Sequence, residues 1–254
     1  MTKFSANLGF LWTDRSLPDA IRAAKLAGFD AVECHWPYDT PAEDVSAALS
    51  ETGLPMLGLN TRRGNPAQGD NGLAAIPERV DEARAAIDEA ISYAVAIGTA
   101  NIHVMAGFAE GPDARDTFIA NLRYACEIAS KNAQSILIEP LNKYDAPGYF
   151  LSTTSQAQSI IDDVGADNLK LMFDCYHVQL MEGDLSNKLE QLKPIIGHIQ
   201  FASVPDRGAP DHGEVNYNHV FKRIDELGYD MALGAEYKPQ VPTDQTLQWL
   251  KAAR

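Results

Sequence analysis

Leu169-Lys-Leu-Met-Phe-Asp174 is an apolar run that ends on a carboxylate, and the arrangement recurs three more times in the second half of the chain. The companions are Ser135-Ile-Leu-Ile-Glu139, Ile196-Gly-His-Ile-Gln200 and Met231-Ala-Leu-Gly-Ala-Glu236. Each reads as a buried strand that delivers one oxygen-bearing side chain at its C-terminal end, and a helical stretch separates each from the next. In a closed parallel barrel such ends meet around one pocket, where a divalent cation and a small polyhydroxy substrate fit. A single acid after a strand is as readily the cap of the following helix. Four in succession are more than capping accounts for.

The same alternation runs through the whole chain. Strand patterns fall near 4–9, 30–34, 55–60, 100–105, 135–139, 169–174, 196–201 and 231–236, and helical patterns near 17–27, 41–52, 77–97, 114–131, 154–164, 184–191, 216–227 and 243–252. The third helix shows the reason: Val80, Ala83, Ile87, Ala90, Ile91 and Ala94 share one face, Pro77 opens the stretch and Gly98 stops it. Pro18 and Pro41 open their helices in the same way. Eight βα units without a break in composition predict a single (β/α)₈ TIM barrel over 1–254, with a doubly wound open sheet as the alternative. Two long connections, 61–72 and 202–214, follow the third and seventh strands and belong on the face where barrel enzymes build their sites.

Composition narrows the function. The 254 residues carry 35 acidic against 21 basic side chains, a formal net charge of −14 that works against binding nucleic acid through its phosphates. No apolar run is long enough to span a bilayer, and the first residues show no signal-like apolar core, so neither a membrane nor export is expected. Three widely spaced cysteines, Cys34, Cys126 and Cys175, fit a reducing cytoplasmic setting. Phosphate-binding glycine loops and a GxSxG nucleophile motif are missing from the sequence, which argues against a nucleotide cofactor and a serine nucleophile. A homo-oligomer is compatible with the sequence but not specified by it.

Ordered matches over essentially the whole chain resemble the hydroxypyruvate isomerase family, within the xylose-isomerase-like barrels that also include ketose 3-epimerases and an abasic-site endonuclease. They are Phe4-Ser-Ala-Asn-Leu-Gly9, Gly28-Phe-Asp-Ala-Val-Glu33, Asn101-Ile-His-Val-Met-Ala-Gly107, Ile138-Glu-Pro-Leu-Asn142, Phe173-Asp-Cys-Tyr-His177, Gly197-His-Ile-Gln200, Val204-Pro-Asp-Arg207, Gly213-Glu-Val-Asn-Tyr217 and Gly234-Ala-Glu-Tyr-Lys-Pro239. The resemblance implies a metal set of Glu139, Asp174, Gln200 and Glu236, with Glu139 and Glu236 as the acid/base pair and His177 and Arg207 on the substrate. The wider group commonly has histidine where this chain has Gln200, and glutamine there favours the isomerases over the epimerases and the endonuclease. The activity implied is interconversion of hydroxypyruvate and tartronate semialdehyde. Isomerisation or epimerisation of another small oxo acid or ketose, such as a 2-oxo-tetronate, is the nearest alternative, and a non-catalytic sugar-acid binding barrel is the alternative of another class.

The chemistry suits these residue types. Three carboxylates and an amide oxygen prefer a hard cation, Mg²⁺ or Mn²⁺, to zinc. A cation on the oxygens of an α-hydroxy carbonyl stabilises enolisation, and a carboxylate then takes the carbon-bound proton. Arg207 is expected to clamp the substrate carboxylate, with Arg62 and Arg63 as second candidates and a solvated loop arginine as the plain alternative. His103 and Lys238 are expected in the pocket, and His198 in a packed layer. Glu33 stands between a pocket role and a helix cap; His35, His212 and His219 show no ligand spacing. Cys175 is expected to face the helices, and Phe10 and Trp12 either to wall the pocket or to pack on a helix.

Overall fold

The computed structural model describes residues 2–253 and is a closed barrel of eight parallel strands with helices outside. The strands are β1 (Phe4–Asn7), β2 (Ala31–Glu33), β3 (Gly58–Asn60), β4 (Asn101–His103), β5 (Ser135–Ile138), β6 (Leu169–Asp174), β7 (Ile196–Phe201) and β8 (Leu233–Ala235). They pair in the order β2-β1-β8-β7-β6-β5-β4-β3, all in parallel. The ring closes between β2 and β3 through the parallel bridge Val32–Met56 and the backbone bonds Val32 N to Pro55 O (3.0 Å) and Leu57 N to Val32 O (2.7 Å).

The helices are α1 (Leu17–Ala27), α2 (Ala42–Thr52), α3 (Val80–Ile97), α4 (Gly111–Ser130), α5 (Thr154–Val164), α6 (Cys175–Met181), α7 (Leu185–Leu192), α8 (Tyr217–Glu226) and α9 (Gln248–Ala252). Local chemistry sets their ends. In α1, Ser16 accepts the Asp19 N–H, Pro18 sits in the first turn, and Gly28 at φ 95° closes the last one. Such a cap is worth roughly 1 kcal/mol.

Three expectations are corrected. Pro77 opens a 3₁₀ turn, Pro77–Arg79, rather than α3 itself, because Arg79 leaves helical geometry at φ −126°. The stretch 243–252 is a 3₁₀ turn, Thr243–Gln245, followed by only the five residues of α9. α6 was not anticipated; it starts directly at the end of β6, with Asp174 as its N-cap, so Cys175 is a helical rather than a strand residue, buried in the apolar core.

The apolar core lies between sheet and helices. Phe4, Phe201, Phe221 and Trp249 pack edge to face there, with ring centroids 4.9–5.9 Å apart. Trp12 belongs to this layer, against Phe29, and does not wall the pocket. The upper interior of the barrel is polar instead: alternate residues Asn7, Glu33, His103, Asp174, His198 and Gln200 are buried there, where barrels commonly carry aliphatic layers. Among the described residues no helix is long and apolar enough to cross a membrane.

Candidate active site

Three of the four strand-end side chains, Glu139, Asp174 and Glu236, come together, with His177 beside them. Ligand atoms of Glu139, Asp174, His177 and Glu236 lie within 4.8 Å of one another, and all four residues are buried. Gln200 is the register partner of Asp174 on the neighbouring strand. Above them opens a cavity of about 540 Å³ lined by Phe10, His35, Arg63, His103, Arg207 and Lys238 among others.

The hydrogen bonds divide this cluster sharply. Glu139 Oε1, Asp174 Oδ2 and Gln200 Oε1 are buried oxygens with no hydrogen-bond donor. Leaving three such atoms unpaired costs on the order of 1–3 kcal/mol each, more where charge is involved. A hard cation is the group that satisfies all of them at once, so the residues fit a metal site. Asp174 keeps its other oxygen for the Tyr176 N–H at 2.9 Å, the cap of α6.

Glu236 is held quite differently. Its Oε1 accepts from Asn7 Nδ2 (3.0 Å) and lies 2.9 Å from His35 Nε2, and its Oε2 takes Arg207 Nη2 at 2.6 Å. Burial alone raises a carboxyl's pKa, but here the Arg207 charge and the His35 contact win and hold Glu236 well below the usual range. Burial and the charges of Glu236 and Asp174 push Glu139 the other way, far above its ordinary value. Asp174 is pushed up to about 7 by burial first and by Glu236 second.

Arg207 sits on the 202–214 loop, in a left-handed conformation at φ 55°, next to a cis Val204–Pro205 bond. Its guanidinium lies between the rings of Phe10 (5.0 Å) and Tyr176 (4.9 Å) and also faces Asp145 at 3.5 Å. Before any substrate binds it is already paired with Glu236. Lys238 lies at the mouth over Phe10 and ion-pairs with no described residue. Arg63 stacks on Trp36 at 4.1 Å and lines the cavity, whereas Arg62 turns outward to Glu89 at 2.7 Å.

The histidines sort by neighbourhood. His103 lines the cavity with both ring nitrogens unpaired, its Nδ1 3.7 Å from Glu139 Oε2; burial lowers its pKa to about 4, so it is neutral. His177 Nε2 points at Asp174 Oδ2 (3.6 Å) and Glu139 Oε1 (3.9 Å). His198 packs inside the barrel on Glu33 at 2.6 Å. Glu33 caps no helix: it also accepts from Asn7 and Gln200 in the barrel interior. His212 pairs with Asp206 and Asp211 on the surface, and His219 contacts Ser186.

Sequence reasoning missed His35, which touches Glu236, and Asn7, which joins Glu236 to Glu33. Asn7 carried the signal in use for the other four, since Phe4-Ser-Ala-Asn7 is also an apolar strand ending on an oxygen-bearing side chain.

Comparison with known proteins agrees with this architecture. Residues 21–253 match the xylose isomerase-like TIM barrel family. The chain is 43% identical to a 2-oxo-tetronate isomerase of Cupriavidus necator, covering 99% of this chain and 98% of that one. It is 40% identical to the hydroxypyruvate isomerase of Escherichia coli, with both chains covered in full. A crystal structure described as an AP endonuclease, family 2, from Brucella melitensis superposes with a TM-score of 0.96 at 36% identity, also over both full chains. The chain belongs to the hydroxypyruvate and 2-oxo-tetronate isomerase family within the xylose isomerase-like TIM barrels.

Proposed function

We propose that this protein is an isomerase that moves a carbonyl group between C2 and C3 of a small hydroxy-oxo acid, interconverting hydroxypyruvate and tartronate semialdehyde. The observation that carries the reading is the trio of buried, donorless oxygens on Glu139, Asp174 and Gln200 beside the ionised Glu236. These four residues would hold Mg²⁺ or Mn²⁺, which supplies charge stabilisation to the enediolate oxygens when bound.

The chain's own groups do the rest. Glu139, free of hydrogen bonds on Oε1, is suited to take the C3 proton once it has released its own under the bound cation's charge. The proton returns at C2, from Glu139 itself or from Glu236 on the far strand, while the hydroxyl proton passes from the C3 oxygen to the C2 oxygen. His177 and neutral His103 line the path as hydrogen-bonding groups for substrate oxygens. Arg207 and Lys238 offer positive charge to the substrate carboxylate at the mouth.

A 2-oxo-tetronate, one CHOH unit longer, undergoes the same proton transfer and is the second reading, supported by the relative at 43% identity. Incubation with a panel of C3 to C6 oxo acids and ketoses in deuterium oxide, followed by NMR, tests both. Deuterium at C2 or C3 of one acid with formation of its isomer is expected, and kcat/KM ranks the three- and four-carbon acids. No exchange in any of them would overturn the isomerase reading in favour of a binding barrel. Abasic-site DNA belongs in the same assay, with no cleavage expected at a net charge of −14.

A further inference from the structure

One backbone N–H orders the polar cluster inside the barrel. Gly9 N donates to Asn7 Oδ1 at 2.9 Å, and because a backbone amide only donates, the Asn7 NH₂ group must face the barrel. That group reaches Glu33 Oε1 at 2.9 Å and Glu236 Oε1 at 3.0 Å. Glu33 Oε1 is thereby an acceptor, so the Gln200 atom 2.7 Å from it is the nitrogen. The Gln200 oxygen is left facing away from Glu33, buried and without a donor. His198 Nε2 fixes the other Glu33 oxygen at 2.6 Å. Even the space is prepared: a Cβ on Gly234 would stand 2.6 Å from Glu33 Oε1 and 2.8 Å from Gln200 Cγ.

An amide is nearly symmetric in shape but not in chemistry, since only its oxygen ligates a hard cation. With the side chain reversed, Gln200 would aim an NH₂ group at the place of its donorless oxygen and set its carbonyl against the Glu33 carboxylate. We propose that Glu33 is the positioning residue of the cation site. It selects the ligating face of Gln200 and, through Asn7, sets the place of Glu236. Glu33 is not itself in the group of ligand atoms that fall within 4.8 Å. Its action is on the ligands, as outer partners of metal sites act elsewhere. This inference rests on the metal role of Gln200 proposed above.

The test is Mn²⁺ binding to the metal-stripped protein, followed by electron paramagnetic resonance of the free ion, with no substrate present. Glu33→Ala is expected to weaken Mn²⁺ binding about 10- to 100-fold. Glu33→Gln keeps the shape and an oxygen acceptor, so it should lose less; this variant carries the test if the alanine protein does not fold by circular dichroism. Because Glu33 acts largely through Gln200, the combined loss in the double variant with Gln200→Ala should fall well short of the product of the single losses. Wild-type affinity in the Glu33 variants, or losses that multiply, would overturn the proposal while leaving the metal site standing. Absence of Mn²⁺ binding by the wild-type protein would overturn the metal reading, and this one with it.

Discussion

The backbone N–H of Asn142 ends 3.0 Å from Nδ1 of His177, and the Asn142 side-chain NH₂ lies 2.7 Å from the same nitrogen. The Asn142 amide is itself oriented by two backbone donors, Tyr144 N and Asp145 N, both 2.9 Å from its oxygen. Nδ1 is therefore an acceptor, and neutral His177 carries its proton on Nε2, facing the carboxylates. A neutral imidazole binds metal through an unprotonated nitrogen, so this tautomer makes His177 a hydrogen-bond donor to substrate rather than a fifth ligand. Burial first, and the Arg207 charge second, lower its pKa to about 3. Nitrogen-15 NMR of metal-free protein should show the Nε2–H tautomer without titration across the neutral range. An Nδ1–H signal would contradict the assignment.

Loss of either glutamate separates base from scaffold. Glu139→Gln and Glu236→Gln keep a neutral oxygen in place but remove the proton acceptor, so kcat should fall by at least about 10²-fold. Steady-state assay on the acid identified by deuterium exchange measures it. A variant retaining near-normal kcat is not altered in the catalytic base.

Arg207 and Lys238 should part company. Arg207 serves Glu236 at 2.6 Å as well as facing the cavity, so Arg207→Ala should lower kcat and raise KM together. Lys238 ion-pairs with no described residue, so Lys238→Met should raise KM with little change in kcat. On dihydroxyacetone, which lacks a carboxylate, the Lys238 penalty should vanish and part of the Arg207 penalty should remain. Equal penalties on charged and uncharged substrates would remove Lys238 from anion binding.

Asp174 gives a pH signature without its cation. Its carboxyl holds a proton up to about 7 in the folded chain, against an ordinary value of 3.8. The folded state thus binds that proton more tightly than the unfolded one, and its stability falls as pH rises from 3.8 through about 7, then levels off. Asn caps α6 as well as Asp does but cannot ionise. Metal-free Asp174→Asn should therefore melt higher than wild type above neutrality, by at least about 2–4 °C, roughly the worth of one kcal/mol at this length. The gain should fade as pH approaches 3.8; a gain independent of pH would point to packing instead.

Mn²⁺ or Mg²⁺ should raise the melting temperature of the wild-type protein in proportion to the logarithm of its concentration, and Asp174→Asn should blunt the response. Proton release on binding, seen as a buffer-dependent heat, should accompany it, because Asp174 and Glu139 must give up protons to ligate. Identical melting with and without either ion would remove the cation from the site.

Much of this was legible in one dimension because a strand has a period of two and ends at a defined place. The run Leu169–Asp174 needs only that rule to put Asp174 at the barrel mouth, and Glu139, Gln200 and Glu236 follow it too. His35 obeys no such rule, and Glu33, which ends β2 on the same pattern, showed its place but not its partner. Their partners, Glu236 and His198, stand 201 and 165 residues away, and only the closure of the ring across β1 and β8 brings them together. α6 escaped because two turns are too short for a helical period to declare itself, and it starts without a loop. The role of Arg207 was half legible: its loop gave its place at the mouth, but not the carboxylate it already holds.

Gly234 lends the site something that no polar group supplies, room. Alanine there is among the mildest exchanges a strand can suffer, and the φ of this residue would allow it. Yet the added methyl would meet the Glu33 oxygens at 2.6 and 2.7 Å and Gln200 Cγ at 2.8 Å, so the two side chains that order the cation ligands would have to shift. In a survey of natural variants, an innocuous substitution at a position without chemistry would thus be recorded as a lesion of the active site.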